Sequence, residues 1–188
     1  NLGVAPEMMW VKCRSSGGDW IVYHTGSDST NPSHKYLELN DTATVKDTAV
    51  MWNDTEPTSS VFSIGTNSDV NASGATYVAF LFATVAGVSK VGSYTGTGTA
   101  GLNVDCGFSS GARFVLIKKA TGTASYWAVF DSTRGIVAGN DPFLRLNDTT
   151  AETTSIDAID PYSAGFTVAT DFSFLNNSGD TYIFYAIA

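Results

Sequence analysis

The chain is poor in charge. Asp, Glu, Lys and Arg together make 15% of its 188 residues, against about a quarter in an ordinary globular protein. Only 10 of these are Lys or Arg, against 18 Asp and Glu, for a net charge of −8. The cations are scattered and form no basic stripe, so nucleic acid is not an expected partner. The two histidines, His24 and His34, show no metal-type spacing and sit in no nucleophile motif. There are only two cysteines, Cys13 and Cys106, too few for a disulfide-built scaffold. They read as free thiols, and their pairing stays open. No run of about 18 apolar residues marks a helical span, and no signal peptide is visible, so no membrane partner is expected. Phosphate loops, dinucleotide fingerprints and Gly-x-Ser-x-Gly elbows are missing too, so no cofactor, metal or catalytic residue is expected.

Hydrophobic residues make 43% of the chain and aromatics 12%, with 18 glycines. A chain of this length suits one domain and buries roughly 70% of its unfolded surface. Apolar segments of four to eight residues alternate with Gly, Ser, Thr and Asn clusters, the pattern of many short strands joined by tight turns.

One stretch occurs twice. Met8-Met9-Trp10-Val11-Lys12, a polar turn and Trp20-Ile21-Val22-Tyr23 return as Phe114-Val115-Leu116-Ile117-Lys118, a polar turn and Tyr126-Trp127-Ala128-Val129-Phe130. Lys118 lies 106 residues after Lys12, and Trp127 lies 107 after Trp20. Further blocks follow in the same order. Leu144 matches Leu37, Phe166 matches Phe62 and Tyr182 matches Tyr77, at offsets of 107, 104 and 105. The offset drifts only in loops, where insertions are tolerated.

Within each copy, 8–12 and 20–24 read as strands, and Leu37 and Leu39 alternate inward in 35–40. Residues 43–48 allow a weak helix, although threonines favour extended chain. Residues 49–52 read as a short strand, 61–65 as a strand with Phe62 and Ile64 inward, and 76–83 as a continuous apolar strand. Residues 90–96 form another alternating strand, followed by a Gly-rich connector over 97–111. The first copy has no counterpart of this lead-in, so the chain reads as a segment of something larger. The expectation is an all-β, antiparallel β-sandwich of jelly-roll or concanavalin-A-like type. It is read as one domain over 1–188, with internal repeats 1–86 and 105–188 joined by 87–104 and sharing one core. Strands 114–117, 77–82 and 182–187 are apolar on both faces, so their outer faces need cover from loops or from another chain.

These blocks resemble a known family. Its repeats carry an Ala-Pro-x-Met-apolar-apolar-apolar-Lys strand, here 5–12, a Trp-apolar-Val-Tyr strand, here 20–23, and a Leu-x-Leu-Asn strand, here 37–40. They also carry an Asn-Asp-Thr-x-Pro-Thr-Ser-Ser-Val-Phe-Ser segment, here 53–63, and an Asn-x-Ser-Gly-x-x-Tyr close, here 71–82. The match spans nearly the whole chain, and the second copy departs at Asp160-Pro161-Tyr162. The family is one of uncharacterised repeats in bacteriophage virion and tail-fibre-like proteins, many from marine phages. The resemblance implies a lectin-like sandwich and a non-enzymatic virion module, such as a tail fibre, appendage or decoration protein. Its expected partners are other virion proteins, further copies of itself and a cell-surface glycan, and its expected location is the virion, outside a cell. The family brings no established ligand or catalytic residues. The alternative is a carbohydrate-binding, receptor-recognition module, and the outsider is a glycan hydrolase.

For the glycan readings the candidate ligand-binding residues are Trp52, Asn53 and Asp54. An aromatic ring beside amide and carboxylate groups can stack on a sugar, while a plug at the sandwich edge is the plainer account. Asp54 and Glu56 mimic a glycosidase carboxylate pair, although such turns are usually only solvated. Asn40-Asp41 and Asn147-Asp148 end matching strands, where oxygen ligands for calcium compete with ordinary turn capping. Asn40, Asn53, Asn71, Asn147 and Asn176 each begin an Asn-x-Ser/Thr triplet, a glycan acceptor only in a eukaryotic secreted protein.

Overall fold

The computed structural model describes residues 2–188. Strands paired antiparallel throughout make the protein an all-β sandwich fold, with only single helical turns between them. The chain divides into two compact units, Asn1–Ala83 and Thr84–Ala188. Within each unit apolar side chains gather in a buried cluster.

In the first unit, strands β1 (Met8–Cys13), β2 (Trp20–His24), β3 (Lys35–Glu38), β4 (Lys46–Asp47) and β5 (Tyr77–Phe82) form one sheet in the order β4-β3-β2-β1-β5. Apolar runs bounded by Gly-Gly and Thr-Gly-Ser supply the strands and the turns. Met9, Val11, Ile21 and Tyr23 project from one face onto Met51, Trp52 and Val70. The opposing layer is therefore built from turns and a single helical turn, α1 (Ser68–Asn71).

Two expected strands are absent from this layer. Residues 49–52 are turns that tip Met51 and Trp52 into the core, because burying two large side chains outweighs a local preference for extended backbone. Residues 61–65 join no ladder, and Ile64, read as inward, is 40% exposed. Residues 43–48 contain no helix; β4 lies within them.

The second unit is a true two-layer sandwich. Strands β6 (Ser89–Thr95), β7 (Leu102–Asp105), β8 (Phe114–Lys119), β9 (Trp127–Asp131), β10 (Leu144–Arg145), β11 (Ile159–Tyr162), β12 (Gly165–Val168) and β13 (Thr181–Ile187) form two sheets. The five-stranded sheet runs β10-β9-β8-β13-β6 and the three-stranded sheet runs β11-β12-β7. Val115, Ile117, Phe130, Tyr182 and Phe184 of the first sheet meet Val104, Ile159, Phe166 and Val168 of the second. A helical turn, α2 (Ser173–Asn176), closes one end. Both faces of β8 are buried, as its doubly apolar sequence requires.

The same local bonds recur in both units. The Trp20 N–H donates to Asn40 Oδ1 at 2.8 Å, and the Trp127 N–H donates to Asn147 Oδ1 at 2.8 Å. The Tyr77 hydroxyl accepts from the Ala72 N–H and donates to the Ser68 carbonyl; the Tyr182 hydroxyl accepts from the Asn177 N–H and donates to the Ser173 carbonyl. Lys12 Nζ donates to the Gly18 carbonyl, and Lys118 Nζ to the Ser125 carbonyl.

Candidate functional site

The turn carrying Trp52, Asn53 and Asp54 packs its tryptophan against the apolar face of the first unit's sheet. Trp52 is 1% exposed. Its Nε1–H donates to the Lys35 carbonyl at 2.9 Å, and its ring meets Tyr23 edge-on with centroids 5.9 Å apart. A ring held this way offers no face to a sugar, so Trp52 is a core residue and drops out of the expected stacking platform. The same burial forces the chain to reverse at once. Asn53 and Asp54 both take left-handed backbone, at φ 54° and 47°, a region that Asn and Asp tolerate best after glycine. Their side chains are exposed, and Asp54 Oδ1 lies 3.3 Å from His34 Nε2.

Glu56 closes the turn. The Tyr23 hydroxyl donates to its Oε2 and the Ser33 N–H donates to its Oε1 at 2.9 Å. Burial, then Glu56 beside it, pushes the Tyr23 phenol well above its ordinary range, so it stays protonated and keeps donating. Both Glu56 oxygens are thus engaged in holding the turn to the sheet, which argues against the carboxylate-pair chemistry weighed for Asp54 and Glu56.

The calcium reading resolves into turn capping. Asn40 and Asn147 hold the tryptophan N–H groups, Asp41 Oδ1 accepts from the Thr42 and Ala43 N–H groups, and Asp148 Oδ1 accepts from the Thr150 N–H. Among the described residues no three His, Cys, Asp or Glu side chains gather as a metal site, and no helix is long and apolar enough to cross a membrane. Cys13 and Cys106 are free thiols. Burial pushes the Cys106 thiol up to about 12.

A different feature of the first unit stands out, one the sequence reading did not anticipate. A groove of about 460 Å³ runs between the N-terminal segment, residues 58–62 and the end of β5, lined by Leu2, Val4, Pro6, Val61, Phe62 and Leu81. Val61 is 65% exposed and, on β5, Phe80 is 46% exposed. Among the described residues β5 pairs with β1 alone, so it forms the edge of its sheet. Large apolar groups beside an open strand edge mark a surface suited to another polypeptide segment.

A family model for a domain of unknown function (DUF7483) matches residues 1–188. No curated protein and no solved structure matches the chain.

Proposed function

We propose that this chain, which belongs to the DUF7483 family, is a non-enzymatic structural module that works inside a larger assembly. The resemblance of its repeats to phage virion and tail-fibre-like proteins supports a virion as that assembly, in a fibre, an appendage or a decoration. The observation that carries the reading is the groove and open β5 edge of the first unit, with Val61, Ile64 and Phe80 left in water. A free-standing module gains nothing from such exposure, and a built-in one covers it on assembly. Low charge and short strands fit the same role.

The test is composition. Mass spectrometry of purified particles should find peptides of this chain at a fixed stoichiometry to the other virion proteins. Particles without the chain, together with a recombinant protein that stays monomeric at high concentration, would sink the reading. Contact with a cell-surface glycan remains an addition to this role. With the Trp52 ring buried, it falls to the exposed Asn53 and Asp54 side chains, and a glycan array silent for the intact protein removes it. A polysaccharide turnover assay disposes of the hydrolase reading if no reducing ends appear.

A further inference from the structure

The second unit shows what a complete edge looks like. Its strand β13, which matches β5 at an offset of 105 residues, pairs on one side with β8 and on the other with β6. Beyond β6 the chain crosses to the other sheet, where β7 pairs with β12 through Val168↔Leu102 to Gly165↔Asp105. One lead-in segment, residues 89–105, thereby completes both layers.

Its passage is tightly built. Tyr94 stacks on Tyr182 with centroids 5.1 Å apart and planes 10° from parallel, and its hydroxyl donates to the Leu175 carbonyl at 2.8 Å. Asn176 is fully buried and accepts from the Thr97 N–H at 2.8 Å, while its amide donates to the Thr99 and Thr170 carbonyls at 2.8 and 2.9 Å. Gly96 lies so close to the Asn177 carbonyl that a Cβ would sit 2.2 Å from it.

The first unit has the receiving half of several of these features. The Arg14 N–H donates to the Thr76 carbonyl. By antiparallel alternation, Thr76, Val78 and Phe80 bond to β1, so Tyr77, Ala79 and Leu81 aim their N–H and C=O groups at the open edge. Asn71, the counterpart of Asn176, is exposed; its amide donates to the Gly65 carbonyl at 2.8 Å, and its Oδ1 accepts no bond among the described residues. Phe62 is only half-buried and Ile64 is exposed, whereas their counterparts Phe166 and Val168 are both 0% exposed beneath β7. Residues 61–65 carry a strand sequence without a strand: β12 owes its ladder to β11 and β7, whereas among the described residues this stretch joins no ladder and is held at its ends, the Thr58 N–H donating to the Val61 carbonyl at 2.8 Å and the Gly65 N–H donating to the Met51 carbonyl at 2.7 Å.

We propose that the β5 edge and its groove accept a two-strand segment of the β6–β7 kind, donated by another DUF7483 repeat. The donor is recognised by an extended stretch that alternates apolar and polar residues, an aromatic ring at the Tyr94 position to stack on Tyr77, and a Gly-Thr-Gly passage to reach Asn71. The first part adds to β5 by main-chain hydrogen bonds, and the second converts 61–65 into a strand. The proposal rests on the structural-module reading only for its setting, since particle composition tests that reading and backbone protection tests this one.

The probe is a synthetic peptide of residues 86–110, added to the intact chain and followed by hydrogen exchange. A second arm fuses residues 84–110 directly ahead of Ala5, the position 106 residues before Gly111. In either arm the amides of residues 77–81 and 61–65 should exchange about tenfold more slowly or better. Ala79→Pro removes one edge-facing N–H without touching the β1 ladder, so it should fold as before and lose that protection. Three results overturn the proposal. In the first, neither arm protects residues 77–81. In the second, Ala79→Pro is protected equally. In the third, protection arises without donor as the protein is concentrated, which makes a second copy's own edge the occupant.

Discussion

Single residues in this protein are decided by whether their polar atoms find partners once the ring or chain is buried. Trp52 is the clearest case. Truncating it to Ala removes a buried ring and strands the Lys35 carbonyl, and should cost about 3–5 kcal/mol. Trp52→Phe keeps most of the packing and should cost about 1–2 kcal/mol through the lost hydrogen bond and the smaller ring. Denaturant midpoints at constant slope separate the two variants. Asn53 offers the opposite case. It sits at positive φ, so Asn53→Gly should raise stability by up to about 1 kcal/mol, read as a higher midpoint.

Asp180 supplies a pH handle. The Lys119 ammonium at 2.8 Å, and then the Asn177 amide, hold its carboxyl below the usual range. Its folded-state pKa is thus lower than its unfolded one. Its stabilising contribution is complete above about pH 4 and fades as the pH falls through the depressed value. Unfolding curves from pH 7 down to pH 2 should show this acid limb, and Asp180→Asn should flatten it.

At the scale of elements, the two matched asparagines make a sharp comparison. Asn176 ties the lead-in to the rest of its unit through the Thr97 N–H and the Thr99 and Thr170 carbonyls, so Asn176→Ala should cost about 2–4 kcal/mol. Among the described residues the Asn71 side chain makes one bond, to the Gly65 carbonyl, and Asn71→Ala should cost about 1 kcal/mol or less. A larger loss at Asn71 than at Asn176, measured by chemical denaturation, would contradict the assignment of their roles.

The elements legible in the sequence were those with strong local patterns. β1, β2, β8 and β9 announce themselves as apolar runs between glycine and serine turns, and β6 was placed within a residue by its alternation. Where an expected strand is absent the reason is physical, since a strand needs a partner that its own residues do not specify. Residues 61–65 have strand chemistry and no ladder. β7 lies inside the Gly-rich connector, and its signal is the period-two alternation of Leu102 and Val104 with Asn103 and Asp105. β11 contains Pro161, which a sheet edge tolerates. For Trp52 the sequence leaves two readings open, since nothing local distinguishes an indole that plugs a core from one that greets a sugar, and burial decides for the plug.

For the molecule as a whole, the charge balance governs colloidal behaviour. With 18 acidic and 10 basic side chains, self-repulsion at neutral pH opposes non-specific association, and it vanishes near pH 4.5. Solubility should pass through a minimum there at low salt. A turbidity scan checks it, and a clear solution across pH 4–5 at high concentration would be the contrary result.

The order of the lead-in along the chain has one more consequence. Because residues 89–105 come before the body they complete, a row of such bodies has a built-in direction, like tiles whose tongues all point one way. Each body would be sealed only from behind, so such a row would extend from one end and be blocked there by a single tongue without a body attached.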